Sequence, residues 1–192
     1  MNNKIGLFFG SFNPIHTGHL VIANYMANHT DLSEVWLMVS PHNPLKKKDS
    51  LANMYDRLEM VNLALEHSDN IKSSDFEFKL QQPSYTIDTL THLQERYPEK
   101  EFVLIMGSDN LMSLKKWKNH EIILRDYKIH VYPRPNYEEE EMAKHPSITM
   151  TNTPQMEISS TFIRKSIAAN KNIKYFLPDT VIDFIDKKGL YS

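Results

Sequence analysis

Two histidines, His16 and His19, flank a glycine in the stretch 10–19, GSFNPIHTGH. An apolar run breaks at Gly10 and Pro14 and resumes at helical spacing with Leu20, Ile22, Ala23 and Tyr25, which predicts a buried strand, a tight turn and a helix. The start of a helix leaves backbone N–H groups unpaired at the positive end of its dipole, and a glycine on each side lets another group approach them closely. Such a place attracts phosphate. His16 and His19, three apart, share a helical face there; imidazoles donate hydrogen bonds to phosphate oxygens and take up protons as negative charge grows. No acid stands in the first turn to compete for the same N–H groups. A zinc reading of the pair finds no cysteine in the chain and no third ligand at a suggestive spacing.

A second stretch, ISSTFIRK at 158–165, has the same character. Ser159, Ser160 or Thr161 can cap a helix, and Arg164 and Lys165 follow within its first turns. Cations there oppose the dipole unless an anion lies between them and the N–H groups. No Glu stands three residues beyond any of these caps, so a reciprocal capping box is missing. An ordinary N-cap with a solvent-facing Arg is the alternative. Lys46, in the loop PHNPLKKK at 41–48, adds a cation at the carboxyl end of the second predicted strand, where open α/β sheets bind ligands, although a lysine run also suits a solvated loop. Two anion-binding helix ends without a GxxxxGK[ST] loop suggest a nucleotide whose phosphate chain is spanned from both sides. No Ser–His–Asp, Cys–His or paired-carboxylate nucleophile is legible, so the fitting reaction is direct displacement at phosphorus, with the protein aligning groups and stabilising charge.

Three further places are ambiguous. Ser84 and Thr86 can be simple caps of a helix running to about residue 97. Asp109, after Gly107, is equally a cap or a ligand. Trp117 is by default a core anchor, with stacking on a flat heterocycle as the alternative.

The elements that must position these groups follow from periodicity. Continuous apolar runs at 35–40, 101–106 and 127–132 predict strands buried on both faces, with a shorter Thr-rich strand at 148–153. Phe76, Phe78 and Leu80 alternate as a strand would, and residues 52–66 read as an amphipathic scaffold helix with Arg57 on its polar side. Leu111, Leu114, Trp117, Ile122 and Ile123 continue an amphipathic helical pattern, the acids at 138–141 read as a solvated helix start, and Pro178 opens a last helix. Strands alternating with helices predict an α/β fold with a doubly wound, mostly parallel sheet and a helical C-terminal segment, in one domain spanning 1–192. The net charge of −2 supplies no field for holding a nucleic-acid backbone. The absence of cysteine, of a secretory-type leader and of any long apolar window predicts a cytoplasmic protein with no membrane contact.

Residues 10–19 resemble the HxGH signature of the nucleotidyltransferase superfamily, and residues 158–164 resemble its second signature, SxTxxR. The segment PSYTIDTL at 83–90, with GSD at 107–109 and Trp117-Lys118, resembles the nicotinate-nucleotide adenylyltransferase branch. The resemblance spans essentially the whole chain and implies a Rossmann-like fold. It implies that His16, His19, Lys46 and Arg164 are catalytic. Gly10, Ser11, Phe12, Gly18, Gly107, Asp109, Ser159, Ser160 and Thr161 would complete an ATP site, while Tyr85, Thr86, Trp117 and Lys46 would meet the pyridine nucleotide. This chain has Ser11 and Asn13 where the family usually reads GTFDP, and PHNPLK where it usually reads PPHK. The implied reaction joins ATP and nicotinate mononucleotide into deamido-NAD and pyrophosphate. Mg²⁺ would ride on the ATP phosphates rather than in a protein cage. Nicotinamide mononucleotide or phosphopantetheine as acceptor, a non-catalytic nucleotide-binding module, and a homo-oligomeric assembly stay open on sequence grounds.

Overall fold

The computed structural model describes residues 3–41, 51–135, 137 and 140–192. Six strands, β1 Lys4–Gly10, β2 Glu34–Val39, β3 Ile71–Ser74, β4 Glu101–Gly107, β5 Lys128–Tyr132 and β6 Ile148–Met150, form one sheet in the order β3-β2-β1-β4-β5-β6. Every pairing is parallel; Leu7 lies opposite Trp36 on one side and Leu104 on the other. The helices are α1 Thr17–His29, α2 Met54–Ala64, α3 Thr86–Arg96, α4 Ser108–Ser113, α5 His120–Asp126, α6 Glu140–Ala143, α7 Ser160–Ala168 and α8 Asp179–Lys188. They cover both faces, which is why the central strands read as unbroken apolar runs. On one face Phe8, Val35, Leu37 and Ile105 pack with Ala23, Met26, Met60, Ile163, Val181 and Ile185 of α1, α2, α7 and α8. On the other, Leu7, Leu104 and Val131 pack with Leu90, Leu93, Leu111, Ile123 and Met142 of α3 to α6.

Strand order reverses between β1 and β4, so the chain leaves these neighbouring strands toward opposite faces and opens a crevice at their carboxyl ends. The histidine turn follows β1, and Gly107–Asp109 follows β4.

The structure corrects three expectations. The alternation Phe76, Phe78 is a 3-10 turn, Phe76–Lys79, and the strand is the polar segment Ile71–Ser74 before it. At the sheet edge Phe76 reaches one core and Phe78 the other, so a two-residue period is satisfied without a strand. The pattern at 111–123 is no single helix; α4 passes into a 3-10 turn, Leu114–Lys116, and Asn119 at φ 53° starts α5 afresh. Arg57 lies not on a polar face but fully buried, at 0% exposure. The acidic run is described only from Glu140, where α6 begins.

Candidate active site

His16 is the N-cap of α1 rather than a residue within it, and its carbonyl accepts from His19 N–H at 2.8 Å and Leu20 N–H at 3.2 Å. The backbone N–H of His16 donates to His19 Nδ1 at 3.3 Å, which places the proton of a neutral His19 ring on Nε2. The two rings stack, with centroids 3.7 Å apart, and Phe12 and Phe8 stand edge-on to His19. Gly18 leaves room beside them: a Cβ there would lie 3.1 Å from the His16 ring, which would have to give by a few tenths of an ångström. His16 is buried, its Nδ1 has no hydrogen-bond partner, and burial first, then the Arg134 guanidinium, push its pKa down to about 4. The first turns of α1 and α7 both lack an acid.

The turn between β1 and α1 is held from behind by its carbonyls. Gly10 O accepts from Ser40 N–H at 2.9 Å, and Ser11 O accepts from Arg57 Nη1 at 2.6 Å. Asn13 O accepts from Arg164 Nη1 at 2.8 Å, and Pro14 O from Ser160 Oγ at 2.9 Å. A trans peptide carries its N–H opposite its carbonyl, so this pull turns the amides of Ser11 and Phe12 away from the scaffold. Arg164 and Ser160 thus splice the start of α7 onto the histidine turn. Arg164 also donates to Thr161 Oγ1 at 3.3 Å, while Ser159 is the actual cap, accepting from Phe162 N–H at 3.1 Å.

Across the crevice, Gly107 caps α4 and Asp109 lies in its first turn, so the capping alternative for Asp109 fails. Asp109 Oδ1 and Arg134 Nε stand 3.7 Å apart, buried and without hydrogen-bond partners. Arg134 lies over the Tyr132 ring and donates to its hydroxyl at 3.4 Å, and Arg134 N–H donates to Ser108 Oγ at 2.9 Å. A small cavity joins this wall to the histidines; it is lined by His16, Gly18, His19, Tyr132, Arg134 and Met156 among others.

Tyr85, not Ser84 or Thr86, occupies the N-cap position of α3 and makes no capping side-chain bond, leaving Thr86 as the first helical residue. Trp117 packs half-buried against the core, which leaves part of its indole exposed. The next residue, Lys118, pairs with Asp88 at 2.9 Å and lies over the Tyr85 ring at 4.7 Å, which fastens the Trp117 turn to the start of α3. Beneath them the buried Glu77 accepts from Thr89 Oγ1 at 2.7 Å, and burial holds its carboxyl above the usual range. Lys46, with His42 in the same loop, lies outside the described residues.

Arg57, Arg134 and Glu77 were not singled out for the site. Arg57 and Glu77 are single charged residues buried against partners elsewhere in the chain, and Arg134 is only partly buried; its one signal is its place after a predicted strand.

Comparison with known proteins follows the same lines. Residues 7–166 match the family described as Cytidylyltransferase-like. The chain is 55% identical to the probable nicotinate-nucleotide adenylyltransferase of Flavobacterium psychrophilum, covering 98% of this chain and 99% of that one. It is 54% identical to that of Christiangramia forsetii, over the full length of both. In structure it is similar to Plasmodium falciparum nicotinic acid mononucleotide adenylyltransferase complexed with NaAD, with a TM-score of 0.84, 23% identity, and coverage of 98% and 97% of the two chains.

Proposed function

The chain belongs to the nicotinate-nucleotide adenylyltransferases of the Cytidylyltransferase-like family, and from that premise we propose that it transfers the adenylyl group of ATP to nicotinate mononucleotide. The observation that carries the reaction type is the junction of two acid-free helix starts, α1 and α7, through Arg164 and Ser160 on the turn that holds the histidine pair. A phosphate oxygen of nicotinate mononucleotide attacks the α-phosphorus of ATP. The bond from that phosphorus to the oxygen bridging the α- and β-phosphates breaks, and its electron pair leaves with pyrophosphate, giving deamido-NAD. No covalent enzyme intermediate is needed.

His19 Nε2–H donates to the reacting phosphates. His16, neutral in the free protein, takes a proton as the polyphosphate brings negative charge beside it. Ser159, Ser160, Thr161, Arg164 and the helix starts hold the triphosphate, with Lys46 as a further cation. Gly10, Ser11, Phe12 and Gly18 form the floor, and Gly107 and Asp109 meet the nucleoside. Tyr85, Thr86 and Trp117 meet the pyridine nucleotide, the indole stacking on its ring. A divalent ion, which we take to be Mg²⁺, enters on the ATP phosphates as part of the substrate; among the described residues no group of three His, Asp or Glu is arranged for a metal. No helix among the described residues is long and apolar enough to cross a membrane, and we assign the enzyme to the cytoplasm as one domain.

The test is an acceptor panel with ATP and Mg²⁺, scored by pyrophosphate and product mass. Nicotinate mononucleotide should turn over fastest; faster turnover of nicotinamide mononucleotide or phosphopantetheine overturns the acceptor assignment. His19→Ala should keep its circular dichroism spectrum and lose about 100-fold or more in turnover, and full activity would remove His19 from the mechanism.

A further inference from the structure

We propose that Tyr191, next to last in the chain, is a positioning residue for adenylyl transfer, its hydroxyl locking the Asn13 side chain and so the turn that aims His16 and His19. The inference rests on the proposed reaction. The turn needs such support. Phe12 sits at φ 42°, a left-handed backbone that a bulky residue adopts only when its surroundings impose it. The donors described above hold backbone carbonyls, and each leaves the Asn13 side chain alone. Asn13 is 2% exposed, and its Oδ1 accepts from Ala52 N–H at 3.1 Å and from the Tyr191 hydroxyl at 2.7 Å.

These two donors come from different parts of the fold. Ala52 precedes α2, and its carbonyl accepts from Arg57 Nε at 3.0 Å, the same guanidinium that holds Ser11 O. Tyr191 comes from the end of the chain, after Gly189 closes α8 at φ 62°, and itself sits at φ 68°. It packs against the core of α1, α2 and α8 and lies within electrostatic reach of Arg164 and Arg57. Burial raises the phenol well above its usual value, so it remains a donor at any working pH. The Tyr191 hydroxyl thereby adds a side-chain tie, beside that from Ala52, to a turn whose carbonyls are held from behind.

The experiment uses the full chain. Tyr191→Phe keeps the packed ring and removes the donor. It should lower kcat about tenfold while the KM values for ATP and acceptor stay within about twofold. In an Asn13→Ala background the same change should alter kcat by less than about twofold, because the hydroxyl acts through Asn13. Amide exchange of residues 11–19 should quicken in Tyr191→Phe while that of β1 and β4 is unchanged. An unaltered kcat with unaltered exchange overturns the proposal, as does a kcat loss of equal size in both backgrounds. If the wild-type protein fails to turn over, the proposed reaction fails, and the exchange measurement still decides whether Tyr191 orders the turn.

Discussion

His16 lies in a place that resists its charge. Burial and the Arg134 guanidinium hold its pKa at about 4, against 6.5 for an ordinary histidine. The folded protein therefore binds fewer protons than the unfolded chain between these values, and stability falls as pH drops through that window. The full difference is about 3 kcal/mol below pH 4 and vanishes above pH 6.5. Urea titrations of wild type and His16→Gln should show the wild type losing about that much relative to the variant between pH 7 and pH 4; parallel curves would mean that His16 is not held neutral. The HxGH signature is legible in sequence because its glycine and histidines act within one turn, where Gly18 makes room for the His16 ring. The neutral state of His16 is not legible. It depends first on burial, which folding alone supplies, and then on Arg134, which the crossover from β4 to β5 brings to the crevice.

At the scale of elements, the buried Arg57 shows how α2 serves the site. Its guanidinium donates to the carbonyls of Ala52, Ser11, Ser40 and Pro41 at 2.6–3.0 Å. It thus joins the turn after β1 to the end of β2 without touching the chemistry itself. A hydrogen bond from a charged donor contributes roughly 1.5–3 kcal/mol, and an orphaned buried acceptor costs about as much. Arg57→Met should therefore cost at least about 3 kcal/mol in urea unfolding, and Arg57→Lys should recover only part of this, since one ammonium cannot reach all four acceptors. A loss under about 1 kcal/mol in Arg57→Met would show that the carbonyls find other donors. Helical periodicity put Arg57 on a polar face because it marks charge as outward; a buried guanidinium surrounded by backbone carbonyls breaks that rule. The same limit explains the Phe76–Lys79 turn, whose alternation reflects two cores meeting at a sheet edge.

At the scale of the molecule, the site is closed by contacts between distant parts of the chain: Arg164 and Ser160 on the turn at 13–14, and Tyr191 on Asn13. A ligand bound across α1 and α7 should stabilise the whole fold. With Mg²⁺ and ATP at about 100 times the dissociation constant, mass action adds about 2.7 kcal/mol. For a chain of this size that raises the melting temperature by about 5–10 °C. Calorimetry with and without the nucleotide measures it, and an unmoved transition would argue against a folded-state ATP site. The sequence by itself determined the alternation of strands and helices, the parallel sheet, and the two acid-free helix starts, since each is written in local periodicity, turn residues and helix-end chemistry. Only the tertiary structure decided that Arg57 is buried, that Arg134 faces His16, that Ser160 and Arg164 grip the turn's carbonyls, and that Tyr191 reaches Asn13. The histidine pair depends on both: its residue types are local information, while its stacking and charge state are set by neighbours that only folding brings within a few ångströms.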